Sequence, residues 1–263
     1  MAAKGSKRAT SRVWQAGAVP FALDLDGVVW LAEDPIPGAR EAVARLRDTG
    51  EPVVFVTNNS SQPVAVVEAK LDRHGIPAAG DVITSAMAAA SLVERGERVL
   101  VCAGPGVDEA LEGRGAFPVQ DGDADAVMVG FHRDFDYERL RVAAVAVRRG
   151  ARLLATNDDA TYPTPGGPIP GGGAILAAVV TATGVTPVVA GKPNAPMADL
   201  VRARLGDDGV MVGDRPDTDG RFARILGYRF ALVHTGVTLA HEVVYPTPDV
   251  VAADLASLVD QLL

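Results

Sequence analysis

The stretch Phe21-Ala22-Leu23-Asp24-Leu25-Asp26-Gly27-Val28-Val29-Trp30 runs apolar into two aspartates spaced two apart. A buried strand that stops at Asp-x-Asp-Gly presents carboxylates at the carboxyl edge of a sheet, where open α/β sheets bind ligands. One carboxylate there can act as a nucleophile, and two can hold a divalent cation against a phosphate. Asp-Gly is also a frequent turn dipeptide. Taken alone, the stretch fits either a turn or a catalytic pair.

Outward from it, short β-branched runs recur at 52–56, 99–101, 126–129, 153–155, 187–190, 209–212 and 229–233. Segments with helical spacing lie between them at 38–48, 63–74, 137–149, 174–183 and 195–205. This alternation predicts an α/β fold, a Rossmann-like doubly wound parallel sheet with helices on both faces. The chemistry-bearing segments fall before about residue 60 and after about residue 190, and the stretch between has its own strands and helices. It also holds a Gly/Pro-dense loop at 161–173; long loops inside compact domains are usually functional or disordered. The expected organisation is a disordered leader at 1–12 and a catalytic core at 13–84 and 187–263. An inserted α/β cap at 85–186, choosing the substrate, interrupts the core.

Composition narrows the function classes. Lys plus Arg total 25 against 33 Asp plus Glu, a net charge of −8. No basic surplus exists to neutralise phosphates, which argues against nucleic-acid and anionic-membrane partners. A small phosphorylated ligand needs only a few local cations. The single cysteine, Cys102, excludes an intrachain disulfide and a multi-cysteine metal site, and its apolar run suggests a buried structural thiol. The apolar segment at 174–190 is broken by Gly184 and Pro187 and is too short to span a bilayer. The start carries Lys4, Lys7, Arg8 and Arg12 with no apolar stretch behind them, unlike a signal peptide. A cytoplasmic location is expected.

Three more apolar runs end in polar side chains. Val53-Val54-Phe55-Val56 is followed by Thr57-Asn58-Asn59-Ser60, whose donors beside a helix start suit a phosphate oxygen or, equally, a helix cap. Val189-Ala190 leads into Gly191-Lys192-Pro193; of the lysines Lys4, Lys7, Lys70 and Lys192, only the last follows a strand, so it is a placed cation or a turn residue. Val210-Met211-Val212 runs into Gly213-Asp214-Arg215-Pro216-Asp217-Thr218-Asp219. Aspartates there suit metal binding or simply the first turn of a helix. In a parallel sheet all four strand ends share one edge. Three carboxylates of hard oxygen then suit Mg²⁺, which keeps waters and accepts a phosphate oxygen.

This ordered set resembles the haloacid dehalogenase-like (HAD) hydrolase superfamily. Pro37-Gly38, Thr156-Asn157-Asp158 and Pro170-Gly171-Gly172-Gly173-Ala174 extend the similarity to its NagD-like, p-nitrophenyl phosphatase subgroup, which carries a large inserted α/β cap. The resemblance implies a phosphoric monoester hydrolase acting through an aspartyl-phosphate. Asp24 would be the nucleophile and Asp26 the proton donor and later the base. Lys192 would offset charge on Asp24 and the phosphate, and Thr57, Asn58 and Asn59 would bind the phosphoryl group. Mg²⁺ would sit on Asp24, the backbone carbonyl of Asp26, and Asp214. Asp219 and Asp217 would hold metal-bound water or orient Lys192. On the cap, Asn157, Asp158 and Gly172 would face the substrate, and a homodimer formed through the cap is a further partner the subgroup suggests.

Two departures from the family pattern stand out. His132 occupies a place where relatives usually carry a small acidic or amide residue, and Gly220 one where an aliphatic residue is common. The implied substrate is a small phosphorylated metabolite: phosphoglycolate, glycerol phosphate, a sugar phosphate or a nucleotide. The competing class is a non-catalytic phospho-ligand sensor using the same pocket. A dinucleotide site at Gly104-Pro105-Gly106 fails for want of a third glycine.

Overall fold

The computed structural model describes residues 19–263 apart from 163 and 165. The basic leader expected at 1–12 and the first core residues, 13–18, lie outside the described residues.

The apolar runs form two parallel sheets. The first has six strands in the spatial order Val250–Ala252, Arg229–Val233, Val210–Gly213, Phe21–Leu23, Val53–Thr57 and Val82–Thr84. Every pairing in it is parallel. Phe21–Leu23 and Val210–Gly213 lie side by side. From Phe21–Leu23 the chain winds outward one way, and from Val210–Gly213 it winds the other. That reversal opens a crevice at the carboxyl ends of the two central strands, the usual ligand position in such sheets. Asp24 follows one of them and Asp214 the other.

Why the sheet forms follows from its two-residue period. Phe21, Leu23, Val53, Phe55, Val210 and Val212 point to one face, against Leu46 of helix Ala39–Asp48, Leu71 of helix Val64–Arg73 and Leu258 of helix Leu255–Leu262. Ala22, Val54, Val56 and Met211 point to the other, against Met197 and Val201 of helix Ala195–Leu205 and Phe222 of helix Arg221–Leu226. Burial on both faces explains why the strands read as continuous apolar runs.

The second sheet has five strands in the order Val188–Val189, Arg152–Ala155, Ala126–Val129, Arg98–Cys102 and Phe117–Val119, again all parallel. Helices Tyr137–Arg148 and Gly172–Thr183 cover one face. The other face joins the apolar cluster that also holds Ala22 and Met211 of the first sheet, through the helices Ser85–Ala90 and Pro105–Arg114.

One boundary differs from expectation. The strand placed at the start of the returning core, at 187–190, belongs instead to the second sheet: Val188 pairs with Leu154 and Val189 with Ala155. The chain rejoins the first sheet only at Val210. A run this short takes whichever edge is within reach, and the edge beside Ala155 is.

Cys102 is buried, and that burial pushes its thiol up to about 12, so it stays protonated and packs as a small hydrophobe. No described helix is long and apolar enough to cross a membrane.

Candidate active site

Asp24 leaves its strand with its N–H donating to the Val212 carbonyl at 2.9 Å, which ties together the exits of the two central strands. Its Oδ1 accepts from the Leu25 N–H at 2.8 Å and from Lys192 Nζ at 2.8 Å. Lys192 is only 2% exposed, and its Nζ also reaches Asp219 Oδ1 at 2.7 Å. Burial alone would lower this ammonium, but Asp219 and Asp24 hold it above the ordinary lysine value. The preceding Gly191 makes that depth reachable. A Cβ there would lie 2.5 Å from the Thr156 carbonyl oxygen and 2.6 Å from Asn58 Oδ1.

After Gly213 the chain makes a wide π-type turn, Pro216–Gly220, of a kind that recurs at functional sites. The N–H groups of Thr218, Asp219 and Gly220 converge on the Arg215 carbonyl. This folds Asp219 back against Gly213, where an added Cβ would sit 2.3 Å from the carboxylate. Gly220 is equally confined: its Cβ would meet the Phe230 ring at 2.9 Å and Pro246 at 3.0 Å. That crowding accounts for the glycine in place of an aliphatic residue.

Asp214 is enclosed by backbone. Its Oδ2 accepts from the Val237 N–H at 2.6 Å. A Cβ on Gly236 would lie 2.0 Å from that oxygen, and one on Gly27 (φ +84°) 2.6 Å from Cγ. Asp214 Oδ1 is buried and lacks a hydrogen-bond partner in the structure. Buried carboxylate oxygens in that condition are costly.

Asp24, Asp214 and Asp219 each offer an oxygen, all within 4.8 Å of one another and all buried. Burial, reinforced by Asp219 and Asp24, pushes the Asp214 carboxyl up to about 7. Burial likewise lifts Asp219 to about 6 against the pull of Lys192, and raises Asp24 while Lys192 opposes it. Among the described residues, three carboxylates therefore face one ammonium. A hard divalent cation would supply the missing positive charge and a partner for Asp214 Oδ1, so the donor set fits Mg²⁺. Asp219, expected behind the metal ligands, is grouped directly with them. Asp26 is not among the three; its Oδ1 accepts instead from Trp30 Nε1 at 3.0 Å.

The other expected residues divide. Thr57 is buried, and its Oγ1 accepts from the Asn59 N–H at 3.0 Å, leaving the hydroxyl hydrogen to donate. Asn58 serves the seam between the sheets. Its Oδ1 accepts from the Lys192 N–H at 2.8 Å, and its Nδ2 donates to the Lys192 carbonyl and to Asp159 Oδ2, both at 3.0 Å. With its side chain so engaged, only its backbone is left for a phosphate. Asn59 Oδ1 caps Ser61, and its Nδ2 donates to the Tyr162 hydroxyl at 3.4 Å. Asn157 is buried and donates to the Asn58 carbonyl at 2.7 Å, and Gly172 packs on it.

Two expectations are corrected. Asp217 is exposed, 3.6 Å from Arg215 on the outer side of the turn, and does not join the site. Asp158 is exposed and lines neither cavity. The N–H of Asp159 bonds to Asn157 Oδ1 at 3.2 Å, a turn that brings Asp159 inward in place of its neighbour.

Two adjoining cavities meet at Asp26, Thr57, Asn59, Phe131 and Tyr162. The inner one, about 480 Å³, holds Asp24, Lys192, Asp214 and Asp219. The outer one, about 780 Å³, is lined by Trp30 and Lys70 on one side and His132 and Arg133 on the other. Phe131 and Tyr162 stack at 4.7 Å with their planes 6° apart. His132 is buried, its Nδ1 3.0 Å from the Gly130 carbonyl and its ring edge-on to Phe135. Trp30, Phe131, Asp159 and Tyr162 were not expected at the site. Each lies in or beside a quoted motif, but aromatic residues near strands read as core.

Residues 21–116 match the family described as haloacid dehalogenase-like hydrolase, and residues 189–258 match a second HAD-hydrolase-like family. A 5′-nucleotidase of Bacillus subtilis is 37% identical over 225 residues, covering 83% of this chain and 88% of that protein. A D-glycerol 3-phosphate phosphatase of Mycobacterium tuberculosis is 38% identical over 86% of this chain, which spans 65% of that relative's length. Crystal structures of a glycerol phosphate phosphatase from Mycobacterium tuberculosis include complexes with calcium and with magnesium; the calcium complex is 37% identical and matches with a TM-score of 0.85, covering 91% of this chain and 74% of that one. A 4-nitrophenylphosphatase from Thermotoga maritima is 31% identical, with a TM-score of 0.87 over 94% of this chain and 98% of its own. The chain belongs to the haloacid dehalogenase-like hydrolases and is a phosphatase-type enzyme, a phosphoric monoester hydrolase, of that family.

Proposed function

We propose that the protein is a Mg²⁺-dependent phosphatase of small phosphorylated metabolites that works through an aspartyl-phosphate on Asp24. The observation that carries this reading is the buried cluster of Asp24, Lys192, Asp214 and Asp219, with Asp214 Oδ1 lacking a partner. Asp24, Asp214 and the backbone carbonyl of Asp26 would hold the metal, with Asp219 beside them. When bound, the metal supplies charge stabilisation for the phosphoryl oxygens.

Both donors to Asp24 fall on Oδ1, so Oδ2 is the oxygen left to attack phosphorus. As that P–O bond forms, the ester P–O bond breaks, and Asp26 gives its proton to the departing alkoxide. Asp26, now a carboxylate, takes a proton from water as the water oxygen attacks the acyl-phosphate. Inorganic phosphate leaves and both aspartates are restored. Lys192 and the Thr57 hydroxyl orient and stabilise the phosphoryl group, so catalysis is mostly positioning and charge. The segment bearing the second sheet acts as the cap that chooses the leaving group, through Phe131, His132, Asp159 and Tyr162 in the cavity walls.

The substrate classes compatible with these cavities are glycolate, glycerol, sugar and nucleoside phosphates, in line with the names of the relatives. Hydrolysis of 4-nitrophenyl phosphate is expected to require Mg²⁺, to stop in EDTA, and to vanish in Asp24→Asn. Full turnover in that variant would overturn the proposal. Phosphate binding without turnover in the parent would instead favour a sensor.

A further inference from the structure

We propose that Trp30 is a positioning residue for Asp26, fixing which carboxyl oxygen carries the proton delivered to the leaving group. This rests on the reading of Asp26 as the acid.

The local chain is built to bring the two together. The N–H groups of Val28, Val29 and Trp30 all turn back on the Leu25 carbonyl, and the Gly27 N–H bonds to the Trp30 carbonyl at 2.8 Å. Gly27, at φ +84°, permits the reversal. The result sets the Trp30 indole Nε1 3.0 Å from Asp26 Oδ1 and leaves the residue 4% exposed. Lys70, from helix Val64–Arg73, lays its Nζ 4.3 Å from the centre of the indole ring. The same ammonium donates to the Ala32 carbonyl, between the paired strands Trp30–Leu31 and Asp34–Pro35. His74 closes on the ring at 5.9 Å.

An indole is a donor only. When Asp26 is the acid, the oxygen bonded to Trp30 must be the carbonyl-type one, so the proton sits on Oδ2. When Asp26 is the carboxylate of the second half-reaction, Oδ1 can still accept the same bond. One contact therefore holds the carboxyl in a single orientation through both protonation states. A partner that both donates and accepts would let the two oxygens exchange roles. Lys70 keeps the indole in place, and its charge against the ring face strengthens the N–H as a donor.

The test uses kcat/KM in saturating Mg²⁺, which ends at departure of the first product and so reports only the step in which the leaving group takes the proton. An alkyl phosphate such as glycerol phosphate needs that proton; 4-nitrophenyl phosphate largely does not. Trp30→Phe is expected to lower kcat/KM for the alkyl ester by about 10- to 100-fold while changing the nitrophenyl ester by less than about 3-fold. Equal losses on both esters would mean the indole is merely structural and would overturn the proposal. If Trp30→Phe does not fold, Lys70→Met decides: an alkyl-selective loss supports the positioning role, and equal losses or none overturn it. Asp26→Asn is the reference for the underlying reading. If it shows no alkyl-selective loss, Asp26 is not the acid, and that reading fails on its own account.

Discussion

Replacing Lys192 by Met tests the charge arrangement most sharply. Methionine nearly fills the lysine volume but removes the ammonium that lies within 2.8 Å of both Asp24 and Asp219. Both carboxylates then remain buried without their cation. Removing one partner of a buried pair costs about 3–5 kcal/mol. At about 2–4 °C per kcal/mol for a chain approaching this size, melting falls by roughly 6–20 °C. Loss of a buried charge aimed at the developing phosphoryl charge should lower kcat by about 10²–10³-fold.

The cost also depends on pH. In metal-free Lys192→Met the two carboxyls lie further above their unfolded value of about 4. A raised carboxyl binds more protons folded than unfolded, so stability declines as pH rises through the interval between the two values. The deficit is therefore small near pH 4 and full at pH 8. The assay is thermal unfolding in EDTA across that range, beside steady-state hydrolysis of 4-nitrophenyl phosphate with Mg²⁺. The double variant Lys192→Met/Asp219→Asn should recover much of the stability and none of the activity, because it removes one stranded charge without restoring the cation. A single variant that melts within about 0.5 kcal/mol of the parent, as an ordinary surface change does, would show that Lys192 does not compensate these aspartates.

Three further outcomes are expected. With Asp214 raised to about 7 and Asp219 to about 6, the metal-free parent should itself lose stability from pH 5 to 8, while the Mg²⁺-induced rise in melting temperature grows over the same range as the carboxyls ionise; at a hundredfold excess over Kd the rise corresponds to about 2.7 kcal/mol, and a pH-independent Mg²⁺ effect would contradict the cluster. Gly236→Ala places a methyl where Asp214 Oδ2 lies, so Mg²⁺ affinity in a calorimetric titration should fall by about 10–100-fold; unchanged affinity would remove Asp214 from the metal site. Asp217→Asn should leave kcat/KM within about 2-fold, as befits an exposed group with a small role, whereas Asp219→Asn should lose activity by about 10-fold or more.

Much of this was legible in the chain. The run Phe21-Ala22-Leu23 ending in Asp24-Leu25-Asp26-Gly27 declares a strand buried on both faces that stops at carboxylates, because only such a strand is apolar at every position. Two more runs of that type, ending at Thr57 and Asp214, imply a shared sheet edge, since parallel strands all finish on the same side; the run before Lys192 reads the same way, but its strand lies in the second sheet. Period and punctuation, both local, determined the α/β class and singled out Asp24, Thr57, Lys192 and Asp214 as candidates.

What the tertiary structure decided are the choices among neighbours of the same kind. Asp159 rather than Asp158 enters the site because an Asn157-directed turn rotates the chain there. Asp219 rather than Asp217 meets Lys192 because a wide turn closes on the Arg215 carbonyl. The strand at Val188–Val189 joins the second sheet because a two-residue run has too little pattern of its own to select an edge. Trp30 reads as core in sequence and is core by burial, yet its one polar atom lies against Asp26. Composition and periodicity fix which face a residue takes. Which atom it meets there depends on turns and strand pairings that close only in the folded chain.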